Sequence, residues 1–457
     1  MVNEEVKHGH THIQWTFALL ANIILFAYGF ECGWISPTTK ILQSVDSPTG
    51  HPVSDLSLSW IASSMSMSAI FAVYIYSYIA DSFGRRLGLI AISWIIKLSY
   101  TSTTSLVIAR LFSGLAAGGS FNVVPMYVKE ISQDEIRGIL GTFPQLLQTT
   151  GILVMYILGA YLDYYTVIMS VLGVPVLIAL ILLKAPESPA YLVKRGKMNE
   201  AANTIAYLRG LEKDDPVVNK IVQSMKAEDD CFKSLPIRNK SWRRAFFLMM
   251  GTFFFHALNG AFAILTYAST ILVSTGVKFE INPETLTLTF PIAMIIGSMS
   301  LVSIVERCGR KILLFSSLLI TAISMILIAV LTLIQTNGTD IPAWLPIAAM
   351  VLVVAMYGGG VSPLPYIMMT EMLSFQIRAK AMGIILTFSW CFSFILITIY
   401  APMVSAFGPS APFIFYGFIN FSGAIYTILL LPETKGKSED EIYQILSKGE
   451  IKNNETI

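Results

Sequence analysis

The chain has 457 residues, of which 54% are hydrophobic and 13% are charged, and its mean hydropathy is +0.65. Soluble domains carry roughly a quarter charged residues, so this composition excludes an ordinary soluble monomer. The net charge of +2 at pH 7 does not indicate a nucleic-acid partner. The composition therefore indicates a membrane protein surrounded by lipid bilayer, and a chain crossing it many times is expected to be all-α.

Long charge-free stretches predict where the chain crosses the bilayer. Residues 381–431 contain no Asp, Glu, Lys or Arg. One crossing takes about 20 apolar residues, so this stretch predicts two spans with the turn between Pro402 and Pro409. The whole chain predicts twelve spans in two six-helix halves: 14–36, 56–80, 87–104, 105–128, 139–162, 165–183, 245–274, 285–305, 312–335, 344–370, 381–403 and 410–431.

The polar segments predict the domain organisation and the orientation. Of the 31 Lys and Arg residues, all but Lys40, Lys97, Arg110 and Lys278 fall in segments on one side. Such an excess of positive charge is typical of the cytosolic side. The prediction is a cytosolic N-terminus (1–13), a six-helix bundle (14–183), a cytosolic central loop with short helices (184–244), a second six-helix bundle (245–431) and a cytosolic tail (432–457).

One glycosylation site is expected on the opposite side. Asn-X-Ser/Thr sequons occur at Asn239, Asn337, Asn420 and Asn454. Asn337 lies between spans nine and ten and is the one that this topology places outside, where glycans are added.

Charged motifs at the ends of the spans repeat between the two halves. Residues 81–86 (Asp-Ser-Phe-Gly-Arg-Arg) follow span two, and residues 306–311 (Glu-Arg-Cys-Gly-Arg-Lys) follow span eight. Further pairs occur in the same order after spans four and ten, and after spans six and twelve. Internal duplication of this kind is typical of secondary transporters.

These motifs, with Pro125-Met126-Tyr127, residues 186–189, residues 363–365 and residues 432–436, resemble the sugar porter family of the major facilitator superfamily. The short outer loops and Ser36-Pro37 are most similar to the insect facilitated trehalose transporter-like branch. The resemblance implies the major facilitator fold and a carrier that works by alternating access. It implies no enzyme activity, no cofactor and no bound metal.

The same resemblance implies a gate of charged residues between the halves on the cytosolic side. Arg–carboxylate pairs there would close the carrier, and breaking them would let the halves rock apart. The alternative is that these charges only anchor the spans at the headgroups. The gate residues are Asp81, Arg85, Arg86, Glu130, Arg137, Glu187, Glu306, Arg310, Glu371, Arg378 and Glu433.

The resemblance also implies where a sugar would bind. Sugar hydroxyls need hydrogen-bonding groups, and the C–H faces of a sugar need an apolar platform. Gln145 in span five and Trp390 in span eleven match the family's amide and aromatic site residues. The full set of candidate substrate-binding residues is Gln145, His256, Phe262, Tyr366, Trp390 and Ser393.

Span seven departs from the family pattern. The family usually has Gln-Gln-Leu-Ser-Gly-Ile-Asn there, whereas residues 256–262 read His-Ala-Leu-Asn-Gly-Ala-Phe. Met294 stands where the family has Asn, Tyr366 where it has Trp, and Gly358 where it has an acid. Because an unpaired buried polar group costs about 1–3 kcal/mol, a site with fewer amides suits an unusual sugar, another polyol or a less polar substrate.

Two ionisable residues in the first half are candidates for proton coupling. Glu31 in span one lies where proton-coupled members of the family place an Asp, and Arg110 in span four is its expected partner. A charge at membrane depth is costly and indicates a function, although a structural ion pair that never titrates explains it equally well. We expect Lys97 in span three to extend towards the membrane interface rather than join a relay.

Three classes of function remain from the sequence. The first is a plasma-membrane carrier of a hexose or trehalose-type sugar, either facilitative or proton-coupled through Glu31 and Arg110, whose partners are the sugar, the bilayer and, in the second case, protons. The second is a non-transporting nutrient sensor of the same fold. The third, a membrane enzyme or channel, has no supporting motif, since Gly358-Gly359-Gly360 is better interpreted as a flexible helix break than as a nucleotide loop.

Overall fold

The structure is a computed structural model, and it describes residues 10–83, 89–99, 101–133, 136, 140, 143–182, 186–232, 240–274, 283–339, 341–342, 344–373, 375–437 and 439–447. All regular secondary structure in these ranges is helical. The prediction of an all-α fold is therefore confirmed. Ten of the described helices are long and apolar enough to cross a membrane, and one shorter apolar helix, Tyr164–Ile178, lies among them.

The first half contains spans 1 to 6. Its helices are His12–Gly33 and Ile35–Leu42 (together span 1), Asp55–Phe83 (span 2), Leu89–Ser99 (span 3), Thr103–Ile131 (span 4), Phe143–Tyr161 (span 5) and Tyr164–Leu182 (span 6). The second half contains spans 7 to 12. Its helices are Lys240–Ala257, Ala261–Thr266 and Ala268–Ser274 (span 7), Pro283–Thr287 and Thr289–Cys308 (span 8), Arg310–Thr336 (span 9), Trp344–Met356, the π-helical turn Tyr357–Val361 and Pro363–Met372 (span 10), Phe375–Phe407 (span 11) and Ala411–Leu430 (span 12).

Short helices collect at one end of the bundle, which we call the loop face, and the opposite end is the far face. The helices of the loop face are Pro189–Lys194, Met198–Arg209, Pro216–Phe232 and Glu439–Ser447. Both ends of the described chain are tied to this face. The backbone N–H of His10 donates to the carbonyl of Arg209 at 2.7 Å, and the Arg244 guanidinium donates to the carbonyl of Leu446 at 3.1 Å.

Small residues bring spans into close contact inside each half. Spans 1 and 5 cross where Gly29 meets Gly151, and a Cβ atom at Gly29 would lie 2.2 Å from the carbonyl oxygen of Gln148. Any larger residue there would force the two helices apart, as expected where transmembrane helices pack through small residues. Between the halves, span 2 packs along span 11 and span 5 packs along span 8.

The predicted spans differ from the observed helices in three respects. Several helices extend past the charged residues that we took as boundaries, because a helix satisfies its own backbone and continues beyond the hydrocarbon. Pro402 was predicted to lie in a turn but lies inside span 11, and the chain turns at Gly408–Ser410 instead. Span 7 was predicted to be continuous and is broken after Ala257.

Candidate functional site

An aromatic cluster lies where the two halves meet. Phe121 of span 4 is at its centre, with ring-centroid distances of 6.4 Å to Tyr366 of span 10 and 6.1 Å to Trp390 of span 11. Tyr28 of span 1 packs edge-on against Phe121 at 5.3 Å. Each half thus contributes rings, and such a surface can stack against the C–H face of a sugar.

His256 joins this cluster from the end of the first segment of span 7. Its ring packs edge-on against Tyr366 at 5.8 Å and is stacked on Tyr357 at 6.0 Å. Its Nδ1 lies 3.1 Å from the carbonyl oxygen of Val361, which the π-helical turn of span 10 presents. If Nδ1 carries the proton for that bond, Nε2 is left as an acceptor.

Gln145 of span 5 connects the halves by a side-chain hydrogen bond. The Ser362 hydroxyl of span 10 donates to its Oε1 at 2.8 Å, and its Nε2 lies 3.4 Å from the Thr149 hydroxyl. A substrate that enters between the halves would have to replace the bond to Ser362. Gln145 is therefore placed to respond to occupancy of the interface.

The structure brings four of the predicted site residues together: Gln145, His256, Tyr366 and Trp390. Ser393 lies one turn along span 11 from Trp390, and Phe262 packs half-buried in the second segment of span 7. Sequence reasoning missed Phe121, Tyr357 and Ser362. Phe121 follows the small residues of span 4, and nothing in its motif distinguished it from a lipid-facing ring. The substrate-binding role of the whole set stays a prediction.

Hydrogen bonds between the halves close the far face. The Ser269 hydroxyl of span 7 donates to the backbone carbonyl of Ser36 in span 1 at 2.7 Å. The Tyr156 hydroxyl of span 5 donates to the carbonyl of Leu265, also in span 7. Both contacts use the part of span 7 that follows its break, so this part joins the two halves at the far face.

The break in span 7 has a clear local cause. Gly260 adopts a φ of +88°, which is strained for residues with a Cβ atom. The Asn259 side chain accepts from the backbone N–H of Ala261 at 2.9 Å, and Asn420 of span 12 donates to the carbonyl of Asn259 at 2.8 Å. The two amides thus satisfy backbone groups that the interrupted helix leaves free.

Span 10 is interrupted at the same level by the π-helical turn Tyr357–Val361. This turn contains Gly358-Gly359-Gly360, which we had predicted to be a helix break. Met294 of span 8 packs on it, and a Cβ atom at Gly358 would lie 2.4 Å from the Met294 carbonyl oxygen. π turns inside α-helices occur frequently at functional sites.

A charged cluster is buried in the interior of the first half. Glu31 and Lys97 are 0% exposed and Arg110 is 2% exposed. The Lys97 ammonium donates to Glu31 Oε2 at 2.7 Å, and the Ser93 hydroxyl donates to Glu31 Oε1 at 2.9 Å. The prediction that Lys97 reaches for the membrane interface is wrong, because a carboxylate deep in the bundle compensates its charge better than a long path to water.

Arg110, the expected partner of Glu31, forms the longer of the two ion pairs of this carboxylate. Its Nη1 lies 3.5 Å from Glu31 Oε2, whereas its shorter bonds go to backbone carbonyls of Glu31 and Ile61. The guanidinium thus connects span 4 to spans 1 and 2. Its five donors in a planar fork suit this task.

Charged residues of the second half meet on the loop face. Arg310 at the start of span 9 donates to Glu371 at the end of span 10, with 3.1 Å between Nη2 and Oε1. Glu433, which follows span 12, accepts backbone N–H bonds from Arg310 at 3.0 Å and from Lys311 at 3.1 Å. Burial alone would raise the pKa of Glu433, but four backbone N–H donors outweigh it and hold the pKa below its usual range.

The corresponding contact of the first half joins Glu130 of span 4 to Ser188, whose hydroxyl donates to the carboxylate. Each of the loop-face contacts described so far joins residues of the same half. Glu187 also lies on this face. The remaining predicted gate residues have side chains outside the described residues: Asp81, Arg85, Arg86, Arg137, Glu306 and Arg378. A gate that joins the two halves through these charges stays a prediction.

Comparison with known proteins shows the family to which this chain belongs. The profile of the family described as "Sugar (and other) transporter" matches residues 17–446. The chain belongs to this family. It is therefore a membrane transporter and not an enzyme, and the prediction of a sugar-porter carrier that works by alternating access is confirmed.

Two curated relatives are insect proteins. The facilitated trehalose transporter Tret1 of Culex quinquefasciatus is 27% identical over 437 residues, which are 93% of this chain and 84% of the relative. Tret1 of Anopheles gambiae is 28% identical over 93% of this chain, which spans 55% of that longer relative. The predicted similarity to insect facilitated trehalose transporters is confirmed.

Solved structures show the fold. The xylose transporter XylE from E. coli, in a partially occluded inward-open conformation, matches with a TM-score of 0.77 and 21% identity over 93% of this chain and 99% of that chain. The XylE proton:xylose symporter bound to 6-bromo-6-deoxy-D-glucose matches with a TM-score of 0.76, 21% identity and coverage of 95% and 99%. The predicted major facilitator fold, with two six-helix halves, is confirmed.

Proposed function

We propose that this transporter moves a hexose or trehalose-type sugar down its concentration gradient across the plasma membrane. The observation that carries the proposal is the aromatic cluster shared by both halves, with Gln145 hydrogen-bonded across the interface beside it. Rings from both halves would close on a sugar as the halves rock, which is what alternating access requires. The names of the insect relatives support facilitated rather than energised transport.

The polar groups of the cluster restrict the substrate further. Gln145 and His256 each have a polar atom already bonded inside the protein, and the neighbouring side chains Phe121, Tyr366 and Trp390 are rings. The hydroxyls around the edge of a sugar ring need hydrogen-bonding partners that these aromatic faces do not offer. The site therefore favours a sugar with a broad apolar face, which stacks on Trp390 and hydrogen-bonds at one edge.

The orientation is part of the proposal. The Lys and Arg excess on the loop-face segments supports a cytosolic loop face with both termini in the cytosol. The central segment 184–244 would then be cytosolic, and the far face would be extracellular. Asn337 is exposed at the end of span 9 and would carry a glycan there.

Uptake by the purified protein in liposomes tests this function. Labelled glucose, other hexoses, trehalose and polyols are each supplied with and without a protonophore. We expect at least one sugar to equilibrate across the membrane, and the protonophore to leave that equilibration unchanged. Sugar accumulation above equilibrium would contradict facilitated transport, and binding of a sugar without any flux would indicate a sensor.

Variants of the aromatic cluster and of Gln145 test the site. Trp390→Ala should raise KM for the transported sugar about tenfold, corresponding to a loss of ~1.4 kcal/mol of stacking. Gln145→Ala should also weaken uptake. The matched controls are Trp344→Ala, at a tryptophan 66% exposed, and Gln223→Ala on the loop face. Wild-type kinetics in both site variants, at normal surface expression, would remove these residues from the site.

A further inference from the structure

The buried cluster of the first half carries an excess positive charge. Among the described residues, Lys97 and Arg110 face a single carboxylate, that of Glu31, and none of the three is more than 2% exposed. An unpaired charge in such surroundings costs several kcal/mol, so this excess needs a compensating environment. The same cluster occupies the depth at which a carrier coupled to ions would bind its ion.

Two tryptophans supply that environment for the Lys97 ammonium. Its Nζ lies 3.9 Å from the ring centroid of Trp94 and 4.4 Å from that of Trp34. The ammonium contacts the ring faces of both tryptophans. Their indole N–H groups are buried and lack an acceptor among the described residues. Cation–π contacts of desolvated ammonium groups are worth about 2 kcal/mol. The ammonium is thus held by one carboxylate oxygen and two aromatic faces.

The three charged groups have separate tasks. Arg110 donates to backbone carbonyls of spans 1 and 2, and it lies farther from the carboxylate than Lys97 does, at 3.5 Å. Lys97 has Glu31 as its close anionic partner at 2.7 Å. The remaining oxygen of the carboxylate accepts from Ser93. A proton that arrived at Glu31 would therefore have to displace the ammonium from Oε2 or the hydroxyl from Oε1.

The pair also lies entirely within one moving body. Glu31, Lys97 and Arg110 belong to spans 1, 3 and 4, all in the first half. When the halves rock as rigid bodies, distances within a half stay fixed. The ammonium therefore stays beside the carboxylate in both the inward-facing and the outward-facing state.

We propose that the Lys97 ammonium neutralises Glu31 in place of a transported proton. Transport is then independent of the proton gradient. The ammonium neutralises Glu31 throughout the cycle, so the carboxylate never takes a proton from one side and releases it on the other. This inference rests on the proposed facilitated transport, and it names the residue that enforces it. Among the described residues, the cluster also has titratable neighbours that are ordinarily neutral at physiological pH: Tyr28 and Cys32 of span 1, Tyr164 of span 6 and Tyr267 of span 7.

Removing the ammonium should create proton coupling. In Lys97→Met, Glu31 Oε2 loses its close ammonium donor and keeps only the longer Arg110 contact at 3.5 Å, so it can bind a proton from the outer solution and release it to the inner one. With one proton moving per sugar, an inward gradient of one pH unit supports accumulation of up to about tenfold, since one unit corresponds to about 1.4 kcal/mol. Lys97→Met/Glu31→Gln lacks the carboxylate and should only equilibrate.

The experiment uses liposomes with the wild type and these two variants, and the labelled sugar that the wild type equilibrates. We expect Lys97→Met to accumulate this sugar, and a protonophore to abolish the accumulation. The control is Lys220→Met, which removes an exposed lysine of the loop face and should equilibrate like the wild type. Equilibration by Lys97→Met at every pH gradient would overturn the proposal while leaving facilitated transport intact. Accumulation by the wild type would overturn facilitated transport itself.

The unfolding temperature provides a second test, in which the double variant is compared with Glu31→Gln even if Lys97→Met alone does not fold. Glu31→Gln leaves two buried cations without a carboxylate, and Lys97→Met leaves the carboxylate with a distant partner. If the two side chains neutralise each other, the double variant should unfold at a higher temperature than either single variant. A double variant no more stable than Glu31→Gln would overturn the permanent pair.

Discussion

The two halves share a topology but fill their interiors differently. The first half places charges at membrane depth, where Arg110 connects spans 1, 2 and 4 through backbone carbonyls. The second half places amides there, and Asn420 satisfies the backbone of Asn259 where span 7 is broken. A π-helical turn interrupts span 10 beside this break.

This difference separates a rigid half from a deformable one. Buried ion pairs need fixed geometry, and displacing one partner leaves an uncompensated charge. A broken helix and a π turn, in contrast, can change their dihedral angles with little loss of hydrogen bonds because side chains already serve the freed backbone groups. The far-face contacts of Ser269 and Leu265 both lie after the break in span 7. We therefore infer that the second half supplies the moving gate and the first half the frame.

Removing the central cation of the frame should have the largest effect. Arg110→Ala leaves the buried carbonyls of Glu31 and Ile61 without their side-chain donor, which costs about 1–3 kcal/mol for each one, and it also leaves a cavity in place of a large buried side chain. We expect a large loss of folded protein in the membrane and a much lower unfolding temperature in detergent. The control is Arg243→Ala, at an exposed arginine at the start of span 7. Equal stability of the two variants would show that the first half is not held by its charges.

A glycine substitution in the deformable half should have a smaller and different effect. Gly260→Ala forces a Cβ atom into the left-handed region, which costs about 1–2 kcal/mol, and places it 2.5 Å from the Tyr416 ring. Because the break can no longer adjust, we expect turnover to fall more than substrate binding.

Gly338→Ala is the matched control for Gly260→Ala. Gly338 has a φ of +86°, close to the +88° of Gly260, but a Cβ atom there would meet nothing within 4 Å. The backbone strain is shared, so the difference between the two variants measures the packing at the break. If turnover falls equally in both, the break in span 7 has no special role in transport.

The sequence predicted the fold and the family better than it predicted the side-chain contacts inside the bundle. Composition and charge-free stretches were sufficient for the helical fold, because lipid demands long apolar helices. Motifs at the span ends were sufficient to identify the family. Pro402 was misplaced since a transmembrane helix tolerates proline, and the sequence does not show whether neighbouring helices compensate for it.

Side-chain partners inside the bundle were predicted less well. Glu31 and Arg110 are neighbours as expected, but Lys97 lies closer to the carboxylate because span 3 turns it inward between two tryptophans. Helical periodicity gives no such direction where every face of a helix is apolar. The break in span 7 was missed for a related reason, since Asn420 donates to the carbonyl that the break leaves free at Asn259, and Asn420 is far away in the sequence.

The smallest expected effect concerns the loop face, where the second half also uses a charge. Glu433 accepts backbone N–H bonds from Arg310, Lys311, Thr434 and Lys435, and these hold its pKa below the usual range despite partial burial. A carboxylate with a lowered folded-state pKa contributes stability above its unfolded pKa and loses it as the pH falls through the folded one. Glu433→Gln should therefore lower the unfolding free energy by about 1 kcal/mol at neutral pH.

The pH dependence distinguishes this charge effect from a change in shape. As the pH falls through the acidic range, the wild type should lose stability towards the level of Glu433→Gln, so that the two unfolding curves converge. Unfolding temperatures measured in detergent from neutral pH down to the carboxylate range give the comparison. A gap that stays constant with pH would mean that the glutamate acts through packing alone. The Glu433 contact would then, like the interior of the second half, act without charge, and the contrast with the first half would become sharper.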